Sequence, residues 1–150
     1  MANGISGGGK LQAYLNGVVA KVGDGRSVRV GFLEGATETN GMSVPLVAAL
    51  NEWGAPSRGQ PPRPFFRTMI SQHKGEWGDQ LGKALVHTKY DSTRALDLMG
   101  EHIAGELRQS MVDLTSPKLA ESTIKRKGFD KPLMDSRTMF NSVGHEVETE

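Results

Sequence analysis

Cysteine is absent from this chain. Disulfides, thiolate metal sites and cysteine nucleophiles are therefore excluded. The compartment stays open, with folding in the cytosol the simplest assumption. Long apolar runs are missing too. No segment approaches the ~20 apolar residues of a membrane span, and the N-terminus has no apolar signal core. Neither sign of charge is in excess. The formal net charge is +1, which argues against a protein that coats nucleic acid but is compatible with a local basic patch. Apolar residues make up a modest 37% of 150 positions, enough for one domain with a real core.

Catalytic patterns are missing as well. There is no G-x-S-x-G, no carboxylate pair in a recognisable context, and no glycine loop between a strand and a helix. Gly4, Gly9 and Lys10 imitate the start of a P-loop. Leu11 stands where Ser or Thr would hold magnesium, and no strand is expected ahead of it. His73, His87, His102 and His145 stand apart with no orienting motif. His102 and Glu106 are one helical turn apart. Two ligands make no metal site, H-E-x-x-H is absent, and a solvated pair is the plainer reading. A catalytic role needs groups in mutual reach, and none can be named. The expectation is a protein without enzyme activity, cofactor or metal.

What the sequence does have is proline in one place. Four of its seven prolines, Pro56, Pro61, Pro62 and Pro64, lie within one short stretch. Each fixes φ and restricts the residue before it, so this loop is held extended. Before it, Val44 to Trp53 reads as a short helix. Ser43 is its cap, Pro45 lies in its first turn, Gly54 ends it, and Leu46, Val47, Leu50 and Trp53 share one face. Arg58, Arg63 and Arg67 make the loop cationic, and Phe65 and Phe66 follow at once. At least one phenylalanine must pack on the domain or on a neighbour. The plain reading is a solvated connection pinned by Phe65. The sharper reading is a rigid contact arm for another subunit.

Around this stretch the chain reads as one α+β domain over 11–150, preceded by a glycine-rich, mobile segment over 1–10. Leu11, Tyr14, Leu15, Val18, Val19 and Val22 mark an amphipathic helix over 11–22. Residues 26–33 alternate, with Val28, Val30 and Phe32 on one side, and read as a half-buried strand. A second helix opens at Pro64 and runs to about Leu85. Gly75, Gly78 and Gly82 weaken it, allowing a break near Gly75 or a close helix approach. The longest helix, 92–114, is capped by Ser92. It presents Leu96, Met99, Ile103, Leu107, Met111 and Leu114 to the core, the methionines as gap fillers. A basic helix over 116–127 follows, with Ser116 as cap, Pro117 in first position and Gly128 after its end. Then come a turn over 129–132, a helical turn or two over 133–140, and a strand over 142–149. That strand pairs with 26–33, so a small antiparallel sheet joins both ends of the chain, with the helices on one face.

Two segments carry a family resemblance. VAALNEWGAP followed by PPRPFFRTMI, and later LAESTIKRKGFDKPLMDSRTMFNSV, resemble the paired signatures of phage neck and tail-completion proteins. These are also described as minor tail components, or as virion morphogenesis proteins in Mu-type phages. The first pattern is A-x-x-N-E-F/W-G, then I/P-P-x-R-P-F-F/L-R, matched by Asn51, Glu52, Trp53, Gly54, Pro62, Arg63, Pro64, Phe65 and Arg67. The second is L-x-x-x-T-I/L-x-x-K-G, then K-P-L-I/M-D-S/T-G-x-L/M-x-x-S-I/V, matched by Thr123, Lys127, Gly128, Pro132, Leu133, Asp135, Ser136 and Ser142. Arg137 stands where the family commonly has glycine, which questions the turn there.

The resemblance covers roughly residues 14 to 148. It implies a structural virion protein, made in the host cytoplasm and placed at the head–tail junction. There it would form a ring, six-membered by the family's tail architecture, around the DNA channel. Its partners would be other copies of itself, a tail tube or tail terminator protein, and a head-completion or connector protein, with no membrane. Trp53, Arg58, Arg63, Pro64, Phe65, Phe66 and Arg67 are the expected subunit-interface residues, because arginine and aromatics dominate interface hot spots. Lys118, Lys125, Arg126 and Lys127 are the candidate DNA-facing residues, for non-specific contact with genomic DNA in the channel. The competing classes are a nucleic-acid-binding module, whose binding would fall steeply with salt, and an assembly factor absent from the finished particle.

Overall fold

The computed structural model describes residues 8–23, 25–33, 35–38, 40–128, 133 and 137–149. In chain order these form α1 (Gly8–Val22), β1 (Arg26–Phe32), α2 (Val44–Trp53), a 3-10 turn (Pro56–Arg58), α3 (Phe65–His87), α4 (Ser92–Asp113), α5 (Glu121–Lys127), α6 (Thr138–Asn141) and β2 (Val143–Thr149). The fold is α+β. β1 and β2 pair antiparallel, with Val28 opposite Val147, Val30 opposite His145 and Phe32 opposite Val143. The alternation that predicts a half-buried ribbon also sets its register, because a one-residue slip would turn Val28, Val30 and Phe32 to water.

α4 lies across one face of this ribbon and packs against α3 on its other side. Its buried stripe is Ala95, Met99, Gly100, Ala104, Leu107 and Met111. Phe65 and Met69 from α3, Val44 and Ala48 from α2, and Leu133, Met139 and Val143 complete the core. Met99 and Met111 are interior, as gap fillers should be. α4 crosses the ribbon at Gly100. A Cβ built there would lie 2.4 Å from the His145 ring and 2.8 Å from a Val28 methyl. Close approach, not backbone freedom, requires this glycine.

Several boundaries differ from the sequence expectation. α3 runs unbroken through Gly75, Gly78 and Gly82, and nothing in the described structure approaches those glycines. A helix docked on α4 along its length can carry three weak positions. The cap of α4 is Asp91, whose Oδ1 accepts from the Arg94 N–H at 3.1 Å. Ser92 is instead buried, donating to the Lys21 carbonyl and accepting from Arg26. Ser43 does precede α2, but its hydroxyl makes no cap bond. The basic helix starts only at Glu121, after Ala120, so Ser116 and Pro117 lie outside it. Gly128 closes it in the left-handed conformation at φ 80°, as expected. The expected turn over 129–132 lies outside the described residues. Of the expected helical turns over 133–140, the described part is α6.

α6 is entered through Arg137 at φ 57°, ψ 0°. This is the position where the resembled family commonly has glycine, and its backbone is left-handed. Left-handed geometry costs a residue with a Cβ roughly 1–2 kcal/mol, part of which glycine returns as unfolded-state entropy. Arg137→Gly is therefore expected to be neutral or stabilising by up to about 1 kcal/mol in urea denaturation, and Arg137→Val clearly destabilising.

Candidate functional site

Asn51 to Arg67 is built as one interlocked unit. Gly54 leaves α2 at φ 78°, ψ 173°, a region effectively reserved for glycine. A Cβ there would also sit 2.8 Å from the Gln60 carbonyl oxygen. The Pro56–Arg58 turn then reverses the chain, and Ala55 and Gln60 form a two-residue bridge. Gln60 donates to the Asn51 side-chain oxygen at 3.1 Å, and the Arg63 N–H donates to the Asn51 carbonyl at 2.7 Å. The returning strand is thus bonded to the helix it left. The loop is a strap held along its length, with Arg58 exposed near its tip.

Glu52 fastens the strap to α3. The first turn of α3 needs acceptors for its free N–H groups, and Pro64 at the cap position offers no side-chain acceptor. Glu52 supplies one from another helix. Its two carboxylate oxygens accept from the Phe66 N–H at 2.9 Å and the Arg67 N–H at 3.1 Å. The negative charge also sits at the positive end of the α3 dipole. The Arg67 Nε completes the set at 2.7 Å, and its Nη2 reaches the Glu52 carbonyl at 3.1 Å. Held this way, the Arg67 guanidinium lies 4.1 Å from the centre of the Trp53 ring. Trp53 is 64% exposed. An exposed tryptophan under a fixed arginine is the most prominent surface feature of the strap.

The geometry corrects several sequence-based assignments. Phe65 is 1% exposed. It is a core residue, edge-on to Phe32 and Phe66, and so not an interface anchor. Arg63 is 6% exposed and donates to the Pro117 carbonyl at 3.4 Å. Burial pushes its guanidinium below its ordinary pKa range. Its side chain ties the strap to the segment after α4 and is removed from any exposed cationic strip. Pro64 and Phe66 are half-buried, and Phe66 packs against the core cluster. Trp53, Arg58 and Arg67 remain exposed. The apolar face proposed for α2 is also rotated. Val44, Ala48 and Glu52 point inward, leaving Leu46 and Trp53 outside. Aiming the Glu52 carboxylate at α3 forces that rotation, since residues four apart share a face.

Lys118, Lys125 and Arg126 are exposed, on and just before α5. The side chain of Lys127 lies outside what is described.

Comparison of the chain with protein-family models, with curated proteins and with solved structures finds no match.

The fold also gathers residues that the sequence left apart. Glu106 Oε1 lies 3.2 Å from His73 Nδ1 and 3.1 Å from His102 Nε2, while Oε2 accepts from the Trp77 indole at 2.8 Å. The His102–Glu106 pair forms along α4 with His102 exposed, while the largely buried Glu106 also reaches His73 and Trp77 and so clasps α4 to α3. His145 Nε2 lies 2.8 Å from Asp97 Oδ1 where the ribbon meets α4. Among the described residues, no group of three or more His, Cys, Asp or Glu is arranged to hold a metal ion. The signal missed in the sequence was Glu52. Asn-Glu-Trp-Gly ahead of a proline-rich return is a helix cap supplied from a distance, and periodicity does not reveal it.

Proposed function

We propose that this chain is a structural virion protein of the phage head–tail junction. In this reading it assembles as a ring of identical copies around the DNA channel and completes or attaches the tail. One observation carries the proposal. The residues that match the first neck-protein signature converge on a single pre-ordered strap that carries an exposed Trp53–Arg67 stack and an exposed Arg58. Asn51, Glu52, Gly54 and Arg63 hold the strap; Trp53 and Arg67 face outward. A contact surface ordered in advance loses little entropy on binding. A ring needs one patch on a subunit to meet a different patch on the next, and tryptophan and arginine are the residues that anchor such patches.

Trp53→Ala combined with Arg58→Glu tests this. Both side chains are exposed, so the circular dichroism spectrum and melting point should stay close to wild type. Sedimentation should show the assembled species reduced at least tenfold. An unchanged assembly state in a folded double variant would contradict the assignment of this surface.

A further inference from the structure

Among the described residues, most of the apolar stripe of α1 is left uncovered. Leu11, Tyr14, Leu15, Val18, Val19 and Val22 form one face, yet α1 contains no buried residue, and Leu11 and Val19 are 59% and 66% exposed. Burying a Leu or Val side chain is worth about 1.5–3 kcal/mol. An uncovered stripe of this size is unusual for an isolated soluble domain. α1 is nevertheless held in position. Tyr14 is edge-on to Tyr90, Lys21 Nζ reaches the Lys89 carbonyl, and Ser92 donates to the Lys21 carbonyl. All three contacts are at the turn between α3 and α4.

A matching concave surface lies at the other end of α3. Gly31 and Gly144 are directly opposed in the ribbon, so neither contributes a side chain there. Phe66 and Leu33 arch over these glycines, 3.9 Å and 2.8 Å from where their Cβ atoms would be. The resulting groove, of about 940 Å³, is lined by Val30, Phe32, Leu33 and Phe66, with Arg29 and Glu146 at its polar side. Phe66 also lines a smaller hollow beside Trp53 and Arg67. α3 has 23 residues, about 34 Å at 1.5 Å per residue. With α1 fastened at one end of α3 and the groove at the other, α1 does not fill the groove of its own chain.

We propose that the apolar face of α1 docks into this groove on a second copy, making the head-to-tail contact of the assembly. The charges agree. α1 carries Lys10 and Lys21 and no acid. At the groove, Arg29 is taken by Glu148 at 2.9 Å, which leaves exposed Glu146 to meet Lys10. Stripe and groove are different patches on one molecule, so the contact is heterologous and propagates to a closed ring or a filament. The inference rests on the reading of the chain as self-assembling.

The test uses the full chain. Leu15→Glu with Val19→Glu should reduce the assembled fraction at least tenfold in light scattering with an unchanged melting point, since neither side chain is buried. Because the chain has no cysteine, Val19→Cys and Leu33→Cys can be placed in separate chains and mixed under mild oxidation. A disulfide-linked heterodimer is expected. Its absence overturns the proposal, as does intramolecular closure, as a monomer, of a single chain carrying both substitutions. So does a wild-type chain that stays monomeric and sediments with anionic vesicles, which would give the stripe to a lipid surface. Loss of assembly in the Trp53–Arg58 variant but not in the Leu15–Val19 variant refutes α1 docking while leaving the ring reading intact.

Discussion

Glu52→Ala is expected to lower stability by about 2–4 kcal/mol in urea denaturation, a large effect for one solvent-distant carboxylate. The variant leaves the Phe66 and Arg67 N–H groups without their acceptor at a partly buried helix start, and removes the carboxylate partner of the Arg67 Nε. A lost helix cap alone costs about 0.5–2 kcal/mol. The charged acceptor and the second N–H raise the figure. Glu52→Gln keeps an oxygen for one of the two N–H groups and should lose roughly half as much. The damage should also be local in a characteristic way. Amide exchange should accelerate in the first turn of α3 and in the Ala55–Gln60 bridge before it does in α4. A Glu52→Ala loss below about 0.5 kcal/mol, the range of ordinary surface changes, would remove the role assigned to this carboxylate.

Gly100→Ala should be destabilising by about 2–3 kcal/mol, opposite in sign to the usual helical exchange. Replacing an interior helical glycine by alanine ordinarily gains up to ~1 kcal/mol. Here the new methyl would lie 2.4 and 2.6 Å from two ring carbons of His145, which is held against Asp97, and 2.8 Å from Val28. Moving the ring would disturb that contact. Gly105→Ala on the same helix is the control. Nothing lies within 4 Å of its added methyl, so the ordinary gain of roughly 0.5–1 kcal/mol should appear. A second control is the double variant Gly100→Ala with His145→Ala, which should recover more than half of the loss by relieving the clash. Equal effects at Gly100 and Gly105 would mean that α4 does not cross the ribbon at this point.

These two positions show what a sequence exposes and what it hides. The alternation of Val28, Val30 and Phe32 and the spacing of Met99, Leu107 and Met111 are local patterns with one physical cause, a buried face, and both were legible. The pairing of β1 with β2 followed, because two short alternating strands at opposite ends of a chain leave each other as partners. The plain reading pins the loop by Phe65, which is the buried one, but the contact-arm reading takes both phenylalanines as interface residues. Adjacent residues at a helix start point about 100° apart, so which one enters the core depends on the phase of α3, and Glu52 helps fix that phase. Arg63 looked like a surface cation because composition cannot show a guanidinium tucked against the Pro117 carbonyl. The stripe of α1 was read correctly as amphipathic, but a periodic face says that something covers it, not what. Of the expected contact set, Trp53, Arg58 and Arg67 keep exposed side chains, and Phe66 lines the groove from a half-buried position.

Native mass spectrometry of the full-length chain tests the central claim most directly. A protein whose strap and α1 face exist to meet other copies should give one dominant species at an integer multiple of 16.2 kDa, shifting to the monomer in the Trp53–Arg58 variant. A single 16.2 kDa ion at every concentration up to that of a crystallisation drop would contradict it.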